Sequence, residues 1–278
     1  MTVIAACQLA LAVGDLAGNA RAAESAVRDA AARGAQFVVL PELSNTGYVF
    51  TGPAEARALA APAAESPALR QWRCLAEELD IVIAGGFCEL GTDDRVYNSA
   101  AVVDGSGTRA LYRKAHLWDT EKLIFTAGAA TPPVTDLGFA RVGLMICYDL
   151  EFPEWVRLAV LAGADVIAAP VNWPAHGPPP AGERPAEIIR AQANASVNAV
   201  FVAVADRCGA ERGTDWVGGS VIIGPEGYPL AGPADPGKPM VLTAACEFLL
   251  ARNKATSPRN DVLTDRRPAL YADLNTGR

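Results

Sequence analysis

Residues 141–155 read RVGLMICYDLEFPEW. An apolar run ends on Cys147, and charged and aromatic residues follow at once. The run predicts a buried strand over 141–147, and the segment after it predicts a helix from about Pro153 to Gly163. A free cysteine usually behaves as a small hydrophobe, so Cys147 taken alone reads as packing at least as well as chemistry.

Outward from this strand–helix unit the same alternation repeats. TVIAACQ (2–8) reads as a buried strand, NARAAESAVRDAAARG (19–34) as a helix closed by Gly34, and QFVVLPEL (36–43) as the next strand. A helix over 66–80 follows, with Ser66 as its cap and Pro67 at its first position, and then a strand over 81–89. The runs flanking GSG at 105–107 predict a β-hairpin. Beyond the opening stretch come a strand at 165–173, a helix at 184–199, and strands at 200–207, 218–224 and 239–246. Strand–helix alternation of this kind requires crossovers and a layered α/β architecture. No linker, repeat or low-complexity segment divides residues 1–278, which read as a single domain with a polar, proline-broken C-terminal tail from about residue 252.

Composition narrows the function classes. The chain has 278 residues, 51% of them hydrophobic and 20% charged, which suits a large packed core. Its net charge of -7, without a Lys/Arg run, argues against nucleic acid or an anionic membrane as partner. Six cysteines at 7, 74, 88, 147, 208 and 246 contain no C-x-x-C pair, so zinc knuckles and dithiol redox sites lack support. That dispersal suits a reducing compartment. The apolar N-terminus lacks the basic residues of a signal peptide, and no run reaches membrane-span length; a cytoplasmic protein is expected. GSGTRA (105–110) mimics a dinucleotide fingerprint but joins two strands, and GGSVI (218–222) lacks the second glycine of a serine-hydrolase elbow. The Asn194-Ala195-Ser196 sequon falls in a predicted helix. Only two histidines, His116 and His176, are present, which nearly excludes multi-imidazole metal sites and makes a carboxylate the more natural general base, although a Cys–His pair through either stays open.

Three strand ends break into polar residues: Glu42 after Leu40-Pro41, Lys114 with Glu121 seven residues on, and Cys147. Pro41 lacks an N–H and holds its predecessor extended, so Glu42 should sit where regular pairing stops. Strand ends of α/β proteins commonly face a shared crevice. Each residue alone also fits an ordinary surface charge or a core position.

Together, LPELSNTGY (40–48), YRKAHLWDTEKLIFTAG (112–128) and VGLMICYDLEFPEWVR (142–157) resemble the three signature blocks of the nitrilase superfamily, the carbon–nitrogen hydrolases, in order and at the usual spacing. DVIAAPVNWP, RAQANASVN, DWVGGSVIIGPEG and RNDVLTDRRPALY extend the resemblance over nearly the whole chain. It implies an α-β-β-α sandwich that dimerises into four layers, with the helix near 153–163 on the dimer face and the tail reaching the partner. A homodimer, or a higher even oligomer, is therefore expected. It implies Glu42 as general base and acid, Lys114 as oxyanion stabiliser, Cys147 as nucleophile and Glu121 as the glutamate that positions substrate and triad. The backbone N–H of Tyr148 would be a second oxyanion donor. No metal or organic cofactor is required.

A thiolate is a good attacker on a poor electrophile such as an amide carbon. A free cysteine, with a pKa of about 8.5, needs help near neutrality, which Lys114 and Glu42 would supply. Tyr48, Trp118, Tyr148, Asn172 and Trp173 adjoin the motif blocks and are expected to line a pocket for a small apolar or cationic amide. The proline-rich AHGPPPAGERP (175–185) would lie at its rim. The leading expectation is an amidase releasing ammonia from a small primary amide. N-carbamoyl hydrolysis and nitrile hydrolysis use the same triad, and a non-catalytic scaffold on this fold is the alternative of another class.

Overall fold

The computed structural model describes residues 1–275. The first half of the chain supplies strands β1 (Thr2–Gln8), β2 (Phe37–Val39), β3 (Val82–Leu90), β4 (Val96–Asp104) and β5 (Gly107–Arg113). Between them lie helices α1 (Leu16–Ala32), α2 (Pro53–Leu59) and α3 (Pro67–Leu79). A single turn, α4 (Glu121–Ile124), leads to the second half: β6 (Val134–Asp136), β7 (Arg141–Leu144), α5 (Pro153–Leu161), β8 (Val166–Pro170), α6 (Ala186–Asn198) and β9 (Phe201–Ala205). The hairpin of β10 (Ala210–Glu211) and β11 (Thr214–Asp215), then β12 (Val221–Ile223) and β13 (Pro229–Ala231), complete it. Finally β14 (Met240–Cys246) returns to the first sheet, followed by α7 (Leu249–Arg252).

Two six-stranded sheets result, ordered β14-β1-β2-β3-β4-β5 and β13-β12-β9-β8-β7-β6. Each has the same plan. Three parallel strands, β1-β2-β3 in one and β7-β8-β9 in the other, are joined through helices, and antiparallel strands extend the edges. The period-2 alternation of the strands sets the layers. Ile4, Ala6, Phe37, Val39 and Ala84 face the second sheet, whereas Ala5, Cys7, Val38 and Ile83 face α1 and α3. The helices answer with apolar stripes at helical spacing: Ala23, Ala26, Val27 and Ala30 on α1, and Ile188, Ala191 and Ala195 on α6. The outcome is the expected α-β-β-α sandwich, with strands buried on both faces.

Local chemistry sets several boundaries. Ser66 caps α3, its hydroxyl accepting from Leu69 N at 3.4 Å, and Pro67 opens the helix as expected. α1 starts earlier than residue 19, because Asp15 caps it by accepting from Gly18 N at 2.8 Å. The strand expected over 141–147 stops at Leu144. Cys147, at φ +47°, instead opens a 3₁₀ turn over Cys147–Glu151. The tail folds back on its own chain: Lys254 Nζ donates to the carbonyls of Asn198 and Ala199 at the end of α6, and Arg157 of α5 donates to Val262 O. Among the described residues no helix is long and apolar enough to cross a membrane.

Candidate active site

The crevice lies at the C-terminal ends of the central parallel strands, where the chain leaves β2, β7 and β8. Glu42 follows β2. Its segment keeps running along β3 through Leu40 N to Ala84 O, Gly86 N to Pro41 O and Ser44 N to Gly86 O. That approach is close enough to exclude a side chain at residue 86: a Cβ on Gly86 would meet Glu42 Cα at 2.5 Å and Leu43 N at 2.6 Å. Leu43 takes φ +46° at the turn. Lys114 follows β5, its N–H donating to Asn98 O and its carbonyl accepting from Gly128 N. Cys147 follows β7.

These residues converge on a buried ionic cluster. Lys114 Nζ, with no exposed surface, donates to Glu42 Oε1 at 2.7 Å and to Glu121 Oε1 at 2.8 Å. Asn98 of β4 bridges the same two oxygens through Nδ2, at 2.7 Å and 3.1 Å. Glu121 Oε2 accepts from Trp118 N at 2.8 Å, which fixes the α4 turn to its own side chain. Among the described residues Glu42 Oε2 has no hydrogen-bond partner, although it is buried. Such an acceptor is expensive to leave unused. Cys147 Sγ lies 3.7 Å from Asn172 O, and Asn172 Nδ2 donates to Glu42 O at 2.9 Å.

Two carboxylates share one ammonium, so one negative charge is in excess. Burial raises the Glu42 carboxyl to about 7; Lys114 opposes the rise and Glu121 adds to it. Burial works against the charge on Lys114, but Glu121 and Glu42 outweigh it and hold the ammonium well above its usual range. Burial, with the charge of Glu42, pushes the Cys147 thiol well above its ordinary value, and the lowering by Lys114 does not compensate. Lys114 thus acts in the expected sense on the thiol, but it also serves two carboxylates, and burial and Glu42 outweigh it.

Two adjoining cavities, one touching Cys147 and one farther along the crevice, divide the pocket residues. A cavity of about 130 Å³ over Cys147 is walled by Trp118, Tyr148 and Trp173, with Glu151, Glu187 and Arg190 at its edge. An outer cleft of about 380 Å³ continues past Tyr48, Asp119, Glu121 and Asp215, and the two share Trp118, Pro174 and His176. Trp118 meets Tyr148 edge-on at 4.8 Å between ring centroids. Tyr48 is half-buried, and burial raises its phenol well above the usual value, with Glu121 and Glu42 adding. Asn172 is brought to the site but lies behind the cleft, fully buried, bracing Glu42 where a lining role was expected. Of the segment 175–185, Ala175 and His176 reach the rim.

Two residues were missed in the sequence. Asn98 is one; its signal was an amide next to Ser99 in the VYNSAAVVD strand, a polar group that needs partners once buried. Asp149, fully buried, is the other. It accepts from Ile146 N at 2.9 Å and Tyr112 OH at 2.7 Å on one oxygen, and on the other meets His116 through its N–H at 3.2 Å and Nδ1 at 2.7 Å. One carboxylate therefore ties the turn at Cys147 to the strand end at Lys114. His116 is committed to Asp149 and stacks on Phe152 at 3.8 Å, so it is no partner of the Cys147 thiol.

The carbon–nitrogen hydrolase family model matches residues 3–254. A nitrilase of Pyrococcus abyssi is 38% identical over 91% of this chain and 92% of its own length. An N-carbamoylputrescine amidase of Arabidopsis thaliana is 33% identical over 94% of this chain and 91% of its own. Among solved structures, an amidase from Nesterenkonia sp. superposes with a TM-score of 0.82 at 29% identity, covering 98% of this chain and 96% of that one. A glutamate-to-glutamine variant of the amidase from Nesterenkonia sp. AN1, carrying acrylamide added at its active-site cysteine, superposes at 0.83 with 28% identity, over 99% and 100% of the two chains. The chain belongs to the carbon–nitrogen hydrolase family, the nitrilase superfamily, and is an amidase-like hydrolase of carbon–nitrogen bonds.

Proposed function

We propose that the protein converts a small primary amide into its carboxylic acid and ammonia through a thioester on Cys147. The observation that carries this reading is the buried Lys114 ammonium held by Glu42 and Glu121 in the same site as the buried Cys147. Glu42, poised near neutrality with a free oxygen, takes the Cys147 proton as sulfur attacks the carbonyl carbon. The developing oxyanion accepts from Lys114 Nζ and from the Tyr148 N–H in the first turn of the 3₁₀ segment, where N–H groups lack intrahelical partners. Such a donor contributes on the order of 3 kcal/mol. Glu42 then passes its proton to the leaving nitrogen, the carbon–nitrogen bond breaks, and ammonia departs. Water gives a proton to Glu42 and adds to the thioester; the carbon–sulfur bond breaks, sulfur recovers the proton, and the acid leaves. Glu121 holds Lys114 and the α4 turn throughout. The similar amidase with acrylamide attached at its active-site cysteine supports the cysteine as the reacting group.

A second reading is favoured by one feature of the cleft. Its charged lining is mostly acidic, with Asp119, Asp215, Glu151 and Glu187 against Arg190 alone, and several relatives are N-carbamoylputrescine amidases. An N-carbamoyl amine with a cationic far end fits that lining, and its hydrolysis would release carbon dioxide as well as ammonia. A panel of aliphatic amides, N-carbamoyl amines and nitriles, read by ammonia and carbon dioxide, separates the readings. Ammonia without carbon dioxide from simple amides is the expected result; turnover of nitriles alone would overturn both.

The same proposal includes a cytoplasmic homodimer formed by a single-domain chain. Leu158 and Leu161 on α5 and Ile189 and Val197 on α6 are large apolar side chains left exposed on one helical layer, and they support a partner there. Light scattering on the purified protein should give twice the 29.0 kDa chain mass, and a monomer at micromolar concentration would contradict it.

A further inference from the structure

Residues 41–52 carry Glu42 and then form one wall of the outer cleft through Tyr48, Val49 and Phe50, without a strand or helix of their own. Their backbone is held from the other half of the molecule. Glu211 of β10 is buried, and its Oε2 accepts from the N–H of Tyr48 at 2.9 Å and of Val49 at 2.7 Å. Arg207, with no exposed surface, grips both oxygens of that carboxylate at 3.0 Å and also donates to the Leu11 carbonyl. Its guanidinium lies 4.4 Å over the Trp216 ring, and Trp216 meets Tyr48 edge-on at 5.5 Å. The neighbouring Arg212 donates to Val49 O at 2.9 Å while pairing with Glu55. One short hairpin thus holds the N–H and the C=O of Val49 together. Gly47, at φ +76°, allows the close fit: a Cβ there would meet Val13 Cα at 2.5 Å and Glu211 Oε1 at 2.6 Å.

A fully desolvated ion pair is weak evidence of net stability, because desolvation offsets its attraction. Its clear product here is a fixed position for a loop that has no other regular structure. We propose that Arg207 and Glu211 are positioning residues that set the width of the cleft through Tyr48–Phe50, and so determine which amides fit while leaving the chemistry at Cys147 to the Glu42–Lys114 cluster. The inference rests on the hydrolase reading above for its substrates. Loosening the clasp should penalise amides long enough to reach the outer cleft more than short ones.

The test compares wild type with Glu211→Gln and, as a variant at an exposed residue, Arg212→Ala. Hydrogen exchange over 44–52, kcat and KM for propionamide and hexanamide, and the rate of Cys147 alkylation by iodoacetamide are measured. Replacing a charge-assisted acceptor should speed exchange at Tyr48 and Val49 by about tenfold and raise the hexanamide-to-propionamide KM ratio by about tenfold. Alkylation should stay near the wild-type rate, and Arg212→Ala should shift in the same direction by less. Wild-type exchange in both variants, or a fall of kcat, alkylation and both affinities together, would overturn the clasp. If wild type releases ammonia from neither amide, the amidase reading fails separately, and the exchange rates alone decide for or against the clasp.

Discussion

Glu42 concentrates the electrostatics of the site. It is buried beside one ammonium that must also satisfy Glu121, and its carboxyl is raised to about 7. A base must be ionised to take the thiol proton, so kcat/KM should rise with pH on a limb centred near 7. A limb near 4.5, the ordinary glutamate value, would contradict the burial argument. The same shift predicts a stability effect. The folded state binds this proton more tightly than the unfolded chain, so the contribution of Glu42 is greatest below pH 4.5 and is lost as pH rises through about 7. The loss at pH 8 is on the order of 3 kcal/mol. Glu42→Gln cannot ionise and leaves Lys114 balanced by Glu121. It should therefore melt above wild type at pH 8, by a smaller margin at pH 6, while losing turnover. Equal melting temperatures at pH 8 would refute the excess-charge picture.

Single elements act as stiff mounts for these groups. The turn at Cys147 holds a non-glycine residue at φ +47°, a conformation that costs of order 1–3 kcal/mol and persists only when its surroundings dictate it. Asp149 supplies that constraint through Ile146, Tyr112 and His116. On the opposite side, β3 backs Glu42 at Gly86 with no room for a methyl group. Gly86→Ala must push the Glu42 segment into the crevice, and a displacement near 1 Å can reduce turnover by about 100-fold. Circular dichroism with steady-state kinetics checks this, since normal turnover in a folded variant would show that Glu42 tolerates the shift. The long elements were legible because their apolar periodicity extends over several turns or pleats, as in α3 and β4. β6, the β10–β11 hairpin and β13 were not, because two or three residues are too few to carry a period, even though each pairs with a strand close by in the chain. Asp15 was passed over as a cap, which displaced the start of α1.

At the scale of the molecule, two halves of matching plan face each other and each contributes to the crevice: Glu42, Asn98 and Lys114 from one, Cys147 and Asn172 from the other. The polar residues at strand ends marked Glu42, Lys114 and Cys147 in the sequence. It could not reveal that Asn98 bridges two glutamates, that Asn172 stands behind the cleft, or that Glu211 holds the wall carrying Tyr48, because those contacts join residues many positions apart through tertiary packing. The thioester proposed on Cys147 would be visible by mass spectrometry of protein quenched in acid during turnover of an amide. The predicted result is a mass gain equal to the acyl group less one hydrogen, mapped to the peptide containing Cys147 and absent from Cys147→Ala. Ammonia release by Cys147→Ala at the wild-type rate, or acylation mapped to another residue, would contradict it.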